Sequence, residues 1–172
     1  MLTPSERWNW NYCKQRDRLL LDINEQLQFC SELSAKQLTE KPSAKALSIT
    51  EAAAFWHVWE SLELLPLAEA ELLEFTLHAL AASYAQHTGH KSWYFAEQPP
   101  CSINKYQLVQ LCGLHAVIPA VVLELDGDSA ICLLLSAGYS LSGKLLNRCS
   151  LLRVLCNRLG PVITRHHLAQ SA

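Results

Sequence analysis

The first thirty residues alternate. Trp8, Trp10 and Tyr12 are separated by Asn9 and Asn11, the period-two pattern of a strand with one aromatic face. A polar turn, Lys14-Gln15-Arg16-Asp17, leads into a second alternating run of Leu19, Leu21 and Ile23. Asn24-Glu25 then turns the chain into a third run with Leu27 and Phe29. The pattern predicts an N-terminal β-meander. Beyond it the period changes. Ser34 with Gln37 fits a capping box for a short helix, and Ser48 with Glu51 fits another. Behind Ser48, the residues Ala52, Phe55, Trp56 and Trp59 fall at i, i+3, i+4 and i+7, the stripe of an amphipathic helix. Pro66 suits the first turn of a further helix. That helix is expected to reach about Gln86, with Leu73, Leu77, Leu80 and Tyr84 inward and Glu69 and Glu71 near its positive end.

His87-Thr88-Gly89-His90 breaks the helical pattern, and the charge balance changes there too. Residues 1–90 carry 7 Lys/Arg against 12 Asp/Glu, whereas residues 91–172 carry 7 against 4. The expected domains are therefore 1–90 and 91–172. The second half reads as β-rich. Trp93 and Phe95 are expected on one strand face, and Pro99-Pro100 marks a loop. Val117 to Leu125 and Ala130 to Leu135 are apolar runs flanking Asp126-Gly127, a strong hairpin signal. Ser150 is expected to cap a last helix that stops at Gly160-Pro161. Strands and helices segregated in this way predict an α+β fold.

With 172 residues, half of them hydrophobic and 17% charged, the chain can build a core, and extended disorder is excluded. No apolar run follows the N-terminus, so no secretory signal is expected. The most apolar stretch, Leu114 to Leu125, is interrupted by His115, Pro119 and Glu124, well short of the roughly 20 apolar residues that span a bilayer. A soluble cytoplasmic protein is expected. The 7 cysteines are odd in number and include no C-x-x-C pair, which argues against a disulfide framework and a zinc ribbon. Cys132, between Ile131 and Leu133, reads as a small core residue. After Asp128 the cations Lys144, Arg148, Arg153, Arg158 and Arg165 meet no later acid, so the C-terminal part favours an acidic partner.

The sharpest catalytic signal is Gly138-Tyr139-Ser140-Leu141-Ser142-Gly143-Lys144, which has the G-x-x-x-x-G-K spacing of a phosphate-binding loop. Two features oppose it. Leu145 stands where such a loop needs a hydroxyl for Mg²⁺, and a hairpin at Asp126-Gly127 makes the preceding strands antiparallel where that fold needs them parallel. The same segment misses the G-x-S-x-G elbow because Ser142 replaces the second glycine. His87, His90 and Cys101 lack a fourth ligand for zinc and read as loop residues. His166-His167 reads as part of a tail. No catalytic constellation emerges, and neither cofactor nor metal is expected. On the expected last helix, at about 100° per residue, Arg158 falls about 20° from Leu151 and about 40° from Val154, while Arg153 points to solvent. An arginine on an apolar face either snorkels, pairs inside the core, or rims a pocket for something acidic.

Trp8-x-Trp10, Asp17-Arg18 leading into Leu21-Asp22, and Leu27-x-Phe29 resemble the N-terminal pattern of the ZapC family, Z-ring-associated proteins of gammaproteobacteria. The resemblance continues through Glu71-Leu72, Ala79-Leu80, Lys91-Ser92-Trp93 with Phe95, Ala130, Cys132-Leu133-Leu134 and Asn157-Arg158-Leu159. The segment 96–129 departs from the family in sequence and length. The resemblance implies a non-enzymatic division regulator at mid-cell that binds polymerised FtsZ at its globular core, bundles the filaments and lowers their GTP turnover. It also implies an N-terminal α/β domain and a C-terminal twisted, barrel-like β domain, each with a pocket, the second apolar at its centre and basic around it. Lys91 and Arg158 match basic family positions, Leu21 matches an N-terminal pocket position, and Lys144 and Trp93 are candidate additions. Neither nucleic acid nor membrane is expected as a partner, and self-association is left open. The alternatives are a degenerate nucleotide-binding protein using residues 138–144 and a nucleic-acid binder using the basic C-terminal part. The modest, mixed charge counts against the latter.

Overall fold

The computed structural model describes residues 1–87 and 89–162. The chain divides into two compact units, Met1–Trp59 with Ala68–Gln86, and Glu60–Leu67 with His87–Ala172. Each follows from its own pattern of apolar positions.

In the first unit the meander forms as β1 (Asn9–Cys13), β2 (Arg18–Asn24) and β3 (Leu27–Cys30). A two-residue β4 (Lys45–Ala46) completes an antiparallel sheet of order β3-β2-β1-β4. Trp10, Leu19 and Leu21 are fully buried on it. The helix α1 (Ile49–Leu62) opens with the expected capping box: the Ser48 N–H donates to Glu51 Oε2 at 2.8 Å, and the Glu51 N–H to Ser48 Oγ at 3.1 Å. The other Glu51 oxygen accepts from Trp10 Nε1 at 2.8 Å, which ties the helix start to β1. Phe55 meets Trp8 edge-on at 5.9 Å and stacks on Trp59 at 5.7 Å. The second helix, α2 (Glu69–Ala81), ends earlier than its apolar period suggests and continues only as a 3₁₀ turn over Ala82–Tyr84. Tyr84 is still buried, against Trp10 at 5.3 Å. The Ser34–Gln37 box caps a single 3₁₀ turn, Ala35–Gln37.

Asp17 sits in the β1–β2 turn at φ 50°, a left-handed conformation that aspartate tolerates. Its Oδ1 accepts from the Tyr12 hydroxyl at 2.7 Å and from the Ala35 N–H at 2.8 Å. These bonds, the tyrosine's first, hold its carboxyl below the ordinary value. A carboxyl lowered in the folded state adds stability above its unfolded pKa of about 3.9 and loses it as pH falls through the folded value. Asp17→Asn is therefore expected to be less stable at neutral pH and to lose less of its melting temperature on acidification than the wild type. Parallel melting curves across pH 7 to 3 would show that Asp17 carries none of the acid sensitivity.

The second unit contains β5 (Leu108–Cys112), β6 (Val117–Asp126), β7 (Ser129–Leu134), the short pair β8 (Gly138–Tyr139) and β9 (Leu145–Leu146), β10 (Leu151–Leu155) and β11 (Leu159–Pro161). The expected β6–β7 hairpin forms with Asp126 opposite Ser129, and Gly127 takes the positive φ of 60° that the turn requires. Cys132 is fully buried, and burial pushes its thiol up to about 12, which keeps it protonated as a core residue.

The last helix expected from the sequence is absent. Residues 151–155 instead pair antiparallel with β7, and Ser150 precedes a strand. Leu-Leu-Arg-Val-Leu is short enough to satisfy either period, and pairing with a fully buried neighbour decides it. Trp93 and Phe95 also share no strand. The Tyr94 N–H bonds to Lys91 O and the Phe95 N–H to Ser92 O, giving a 3₁₀ turn over Ser92–Tyr94 that leaves Trp93 60% exposed and Phe95 2% exposed.

The main sheet has the order β10-β7-β6-β5-β11, so β10 and β11, consecutive in the chain, lie at opposite edges. Leu155 and Leu159 are joined by a 3₁₀ turn over Cys156–Arg158, at most about 14 Å of chain. Five strands laid flat would hold the edges about 19 Å apart. The sheet must curl so that its two edges approach one another. Residues 91–98 bridge the gap. The Lys91 N–H donates to Arg153 O and the Leu155 N–H to Ser92 Oγ on the β10 side, and the Ala96 N–H donates to Cys112 O at the end of β5.

Candidate interaction site on the seam of the second unit

The 3₁₀ turn Ser92–Tyr94 is the centre of the candidate site. It buries Ser92 and Tyr94 and presents Trp93 outward, because a three-residue turn points successive side chains in different directions. Three cations converge on it from separate parts of the sequence. Lys91 Nζ lies over the Trp93 ring at 5.3 Å and the Tyr94 ring at 6.0 Å. Lys144 arrives from the β8–β9 hairpin, donates to the Tyr94 hydroxyl at 3.1 Å and sits 5.5 Å from that ring. Arg158, in the turn between β10 and β11, donates from Nε to the Ser92 carbonyl at 3.0 Å. Its Nη1 lies 2.8 Å from Glu97 Oε1. Cation–ring contacts of this kind contribute about 0.5–1 kcal/mol each at exposed positions, enough to hold the lysine stems on the rings.

Four of the five residues singled out from the sequence, Lys91, Trp93, Lys144 and Arg158, therefore lie around one turn. The fifth, Leu21, belongs to the first unit and is fully buried on β2, opposite Trp10 on one side and Phe29 on the other. Nearby, a groove of about 310 Å³ runs between β2–β3 and α2, lined by Ile23, Leu27, Phe29, Leu73 and Leu77 among others. Leu21 itself is not among the lining residues.

The structure corrects the basis on which Arg158 was singled out. No helix places it beside Leu151 and Val154; its side chain is 16% exposed because the turn after β10 carries it back over Ser92. Nor are the C-terminal cations all without acids. Arg153, expected in solvent, projects from β10 to Asp126 Oδ2 at 2.5 Å and Ser129 Oγ at 3.2 Å, while Arg158 faces Glu97. Lys91 and Lys144 have no carboxylate at ion-pair distance among the described residues. Arg165 and His166-His167 lie outside the described residues. Tyr94, the residue that both lysines touch, escaped the sequence reading, because strand alternation from Trp93 to Phe95 assigned it to the far face.

The phosphate-loop spacing at 138–144 forms no phosphate loop. It is the β8–β9 hairpin, antiparallel, with Tyr139 opposite Leu145 and the Ser140 N–H bonded to Lys144 O. A phosphate loop needs a strand before it and a helix N-terminus after it, and here a strand follows instead.

Comparison with known proteins covers both units. The model described as Cell-division protein ZapC, N-terminal, matches residues 1–87, and that described as Cell-division protein ZapC, C-terminal, matches residues 90–165. The chain is 29% identical over 170 residues to a relative named Cell division protein ZapC from Pseudoalteromonas translucida, with 96% of this chain and 97% of the relative covered. It is 31% identical over 172 residues to a protein of the same name from Pseudoalteromonas atlantica, with 95% of each covered. It is also 31% identical over 167 residues to one from Vibrio vulnificus, with 92% and 91% covered. With both halves matched in order along nearly its whole length, the chain belongs to the ZapC family of cell-division proteins.

Proposed function

We propose that this chain binds polymerised FtsZ through the cation-ringed turn at 91–94, bundles the filaments, stabilises the Z ring and lowers FtsZ GTP turnover. It acts as a cytoplasmic, non-enzymatic regulator at mid-cell, with no nucleic-acid or membrane partner, and its two modules meet near residue 90. Family membership supplies the division role. The observation that carries the choice of site is the convergence of Lys91, Lys144 and Arg158 on the Ser92–Tyr94 turn, which leaves Trp93 exposed. An aromatic anchor with cations around it is how interfaces concentrate binding energy on an acidic, partly apolar partner surface. No helix among the described residues is long and apolar enough to cross a membrane.

Co-sedimentation with FtsZ polymer tests this. The purified protein is expected to pellet with polymer at low salt and to raise light scattering through bundles. Binding should weaken as salt shortens the screening length from about 10 Å at 0.1 M to about 3 Å at 1 M. Folded protein that stays in the supernatant at low salt would remove FtsZ as the partner. The same preparation is expected to hydrolyse neither ATP nor GTP alone. Nucleotide-dependent thermal stabilisation abolished by Lys144→Ala would restore the nucleotide-binding alternative.

A further inference from the structure

All 7 Lys and Arg residues of positions 1–90 lie at or before Lys45, whereas residues 46–90 hold 6 Glu and no Lys or Arg. Lys14, Arg16, Arg18, Lys36 and Lys41 are gathered at one end of the first unit's sheet, around Tyr12 and Asp17. Lys14 and Arg16 lie in the β1–β2 turn, and Arg18 opens β2 and donates from Nη1 to Asp17 O at 2.8 Å. By accepting the Ala35 N–H, Asp17 Oδ1 draws in the turn that carries Lys36. The Tyr12 N–H donates to Pro42 O at 2.9 Å, and the neighbouring Lys41 places Nζ 5.2 Å from the Tyr12 ring. Arg18 is half-buried and the other cations are exposed.

None of these cations has a carboxylate at ion-pair distance among the described residues. Acids of the same sheet and its turns are committed to other groups. Asp17 is held by Tyr12 and Ala35, Asp22 by Asn11 and Gln28, and Glu40 by Lys45. Asp17 therefore organises the cluster without pairing its carboxylate to it. Like charges crowded around one turn repel, and interspersed signs would serve solubility as well. An anion set among the five relieves that repulsion.

We propose that this end of the first unit's sheet is a docking surface for a short acidic segment of a partner protein. Its carboxylates meet the guanidinium forks of Arg16 and Arg18 and the ammonium groups of Lys14, Lys36 and Lys41. The surroundings choose among anionic partners. A nucleic-acid duplex needs an extended basic track. Here the cations are confined to one end, and the unit's helical residues bring only acids, Glu51, Glu69, Glu71 and Glu74. Stable seating on a membrane pairs basic side chains with an apolar insertion. Lys14-Gln15-Arg16-Asp17 and Ser34-Ala35-Lys36-Gln37 offer nothing more apolar than an alanine. The surface belongs to the first unit and rests neither on the 91–94 turn nor on FtsZ as the partner.

A fluorescein-labelled peptide of alternating glutamate and serine tests it, titrated at low salt and followed by anisotropy. The host is the full chain carrying Lys91→Gln/Lys144→Gln, so that the lysines of the second unit contribute nothing to the signal. In that host, Arg16→Gln/Lys36→Gln is expected to weaken peptide binding by about tenfold or more. Arg7→Gln/Lys105→Gln, which removes the same charge at exposed positions elsewhere, is expected to leave it within about twofold. Both pairs are surface changes and should melt near the host. If Arg16→Gln/Lys36→Gln melts early, Lys14→Gln/Lys41→Gln is read in its place. Equal weakening by the two pairs would reduce the effect to net charge and overturn the proposal. So would a host that binds no peptide at low salt. Tighter binding to a DNA duplex or to phosphatidylglycerol vesicles than to the peptide, lost in the Arg16→Gln/Lys36→Gln protein, would overturn the choice of an acidic protein segment.

Discussion

Arg158→Glu is expected to lower folding stability by about 2 kcal/mol and FtsZ affinity by tenfold or more, while Arg153→Glu costs about 1 kcal/mol or less and leaves binding intact. Both changes reverse the same charge within six residues of one another. They differ in what each arginine holds. Arg158, 16% exposed, bonds the Ser92 carbonyl, which among the described residues otherwise keeps only the Phe95 N–H at 3.2 Å. A glutamate there would repel that carbonyl and face Glu97. Arg153 pairs with Asp126, which is 72% exposed and solvated without it, and Ser129 Oγ still donates to the Asp126 carbonyl. Melting curves and co-sedimentation separate the outcomes. In a chain of this size, about 2 kcal/mol corresponds to about 4–8 °C in melting temperature. Lost binding with an unchanged melt would mean that Arg158 touches FtsZ itself instead of holding the turn. Equal binding by the two variants would remove Arg158 from the site.

Trp93→Ala is expected to separate binding from folding. Its ring is 60% exposed, so truncation should change stability by no more than about 0.5 kcal/mol. An aromatic anchor desolvated by a partner costs about 2 kcal/mol or more when truncated, roughly thirtyfold in affinity. Trp93→Phe keeps a face for Lys91 and should recover part of the loss. The measurement is a pelleting isotherm beside a melt at matched salt. A variant that binds as tightly as the wild type would leave Trp93 a solvent-exposed bystander, and the lysines would carry the interface alone.

What the sequence made legible was local. The meander, the Ser48–Glu51 box and the Asp126-Gly127 hairpin each depend on residues a few positions apart, and each formed as read. What failed depended on distant neighbours. The run Leu151–Leu155 is a strand only because β7 is there to pair with it. The turn at Ser92–Tyr94 is not a strand because its backbone is bonded to itself while Arg153 and Leu155 take its flanking groups. The site stood between these cases. Its residue types were recognisable, but nothing short of the curled sheet brings positions 91, 144 and 158 to one place. Arg158 was reached through a helical period that does not exist, and its partial burial has a different cause.

The segment that closes the curled sheet also has a bearing on solubility. The free edge of β10 is occupied by Lys91 and Ser92 of that segment. At the opposite edge, the Cys101 thiol contacts the Leu159 carbonyl, and Pro161 has no N–H to offer. An uncovered strand edge is a template for pairing with another chain, and natural sheets shield theirs. Here the shield on one side is the same stretch of chain that carries Trp93. Changes that loosen it uncover a sticky apolar strand as well as disturbing the candidate site. Such variants would first be noticed as inclusion bodies, and a cell carrying one would lose soluble protein before it lost affinity.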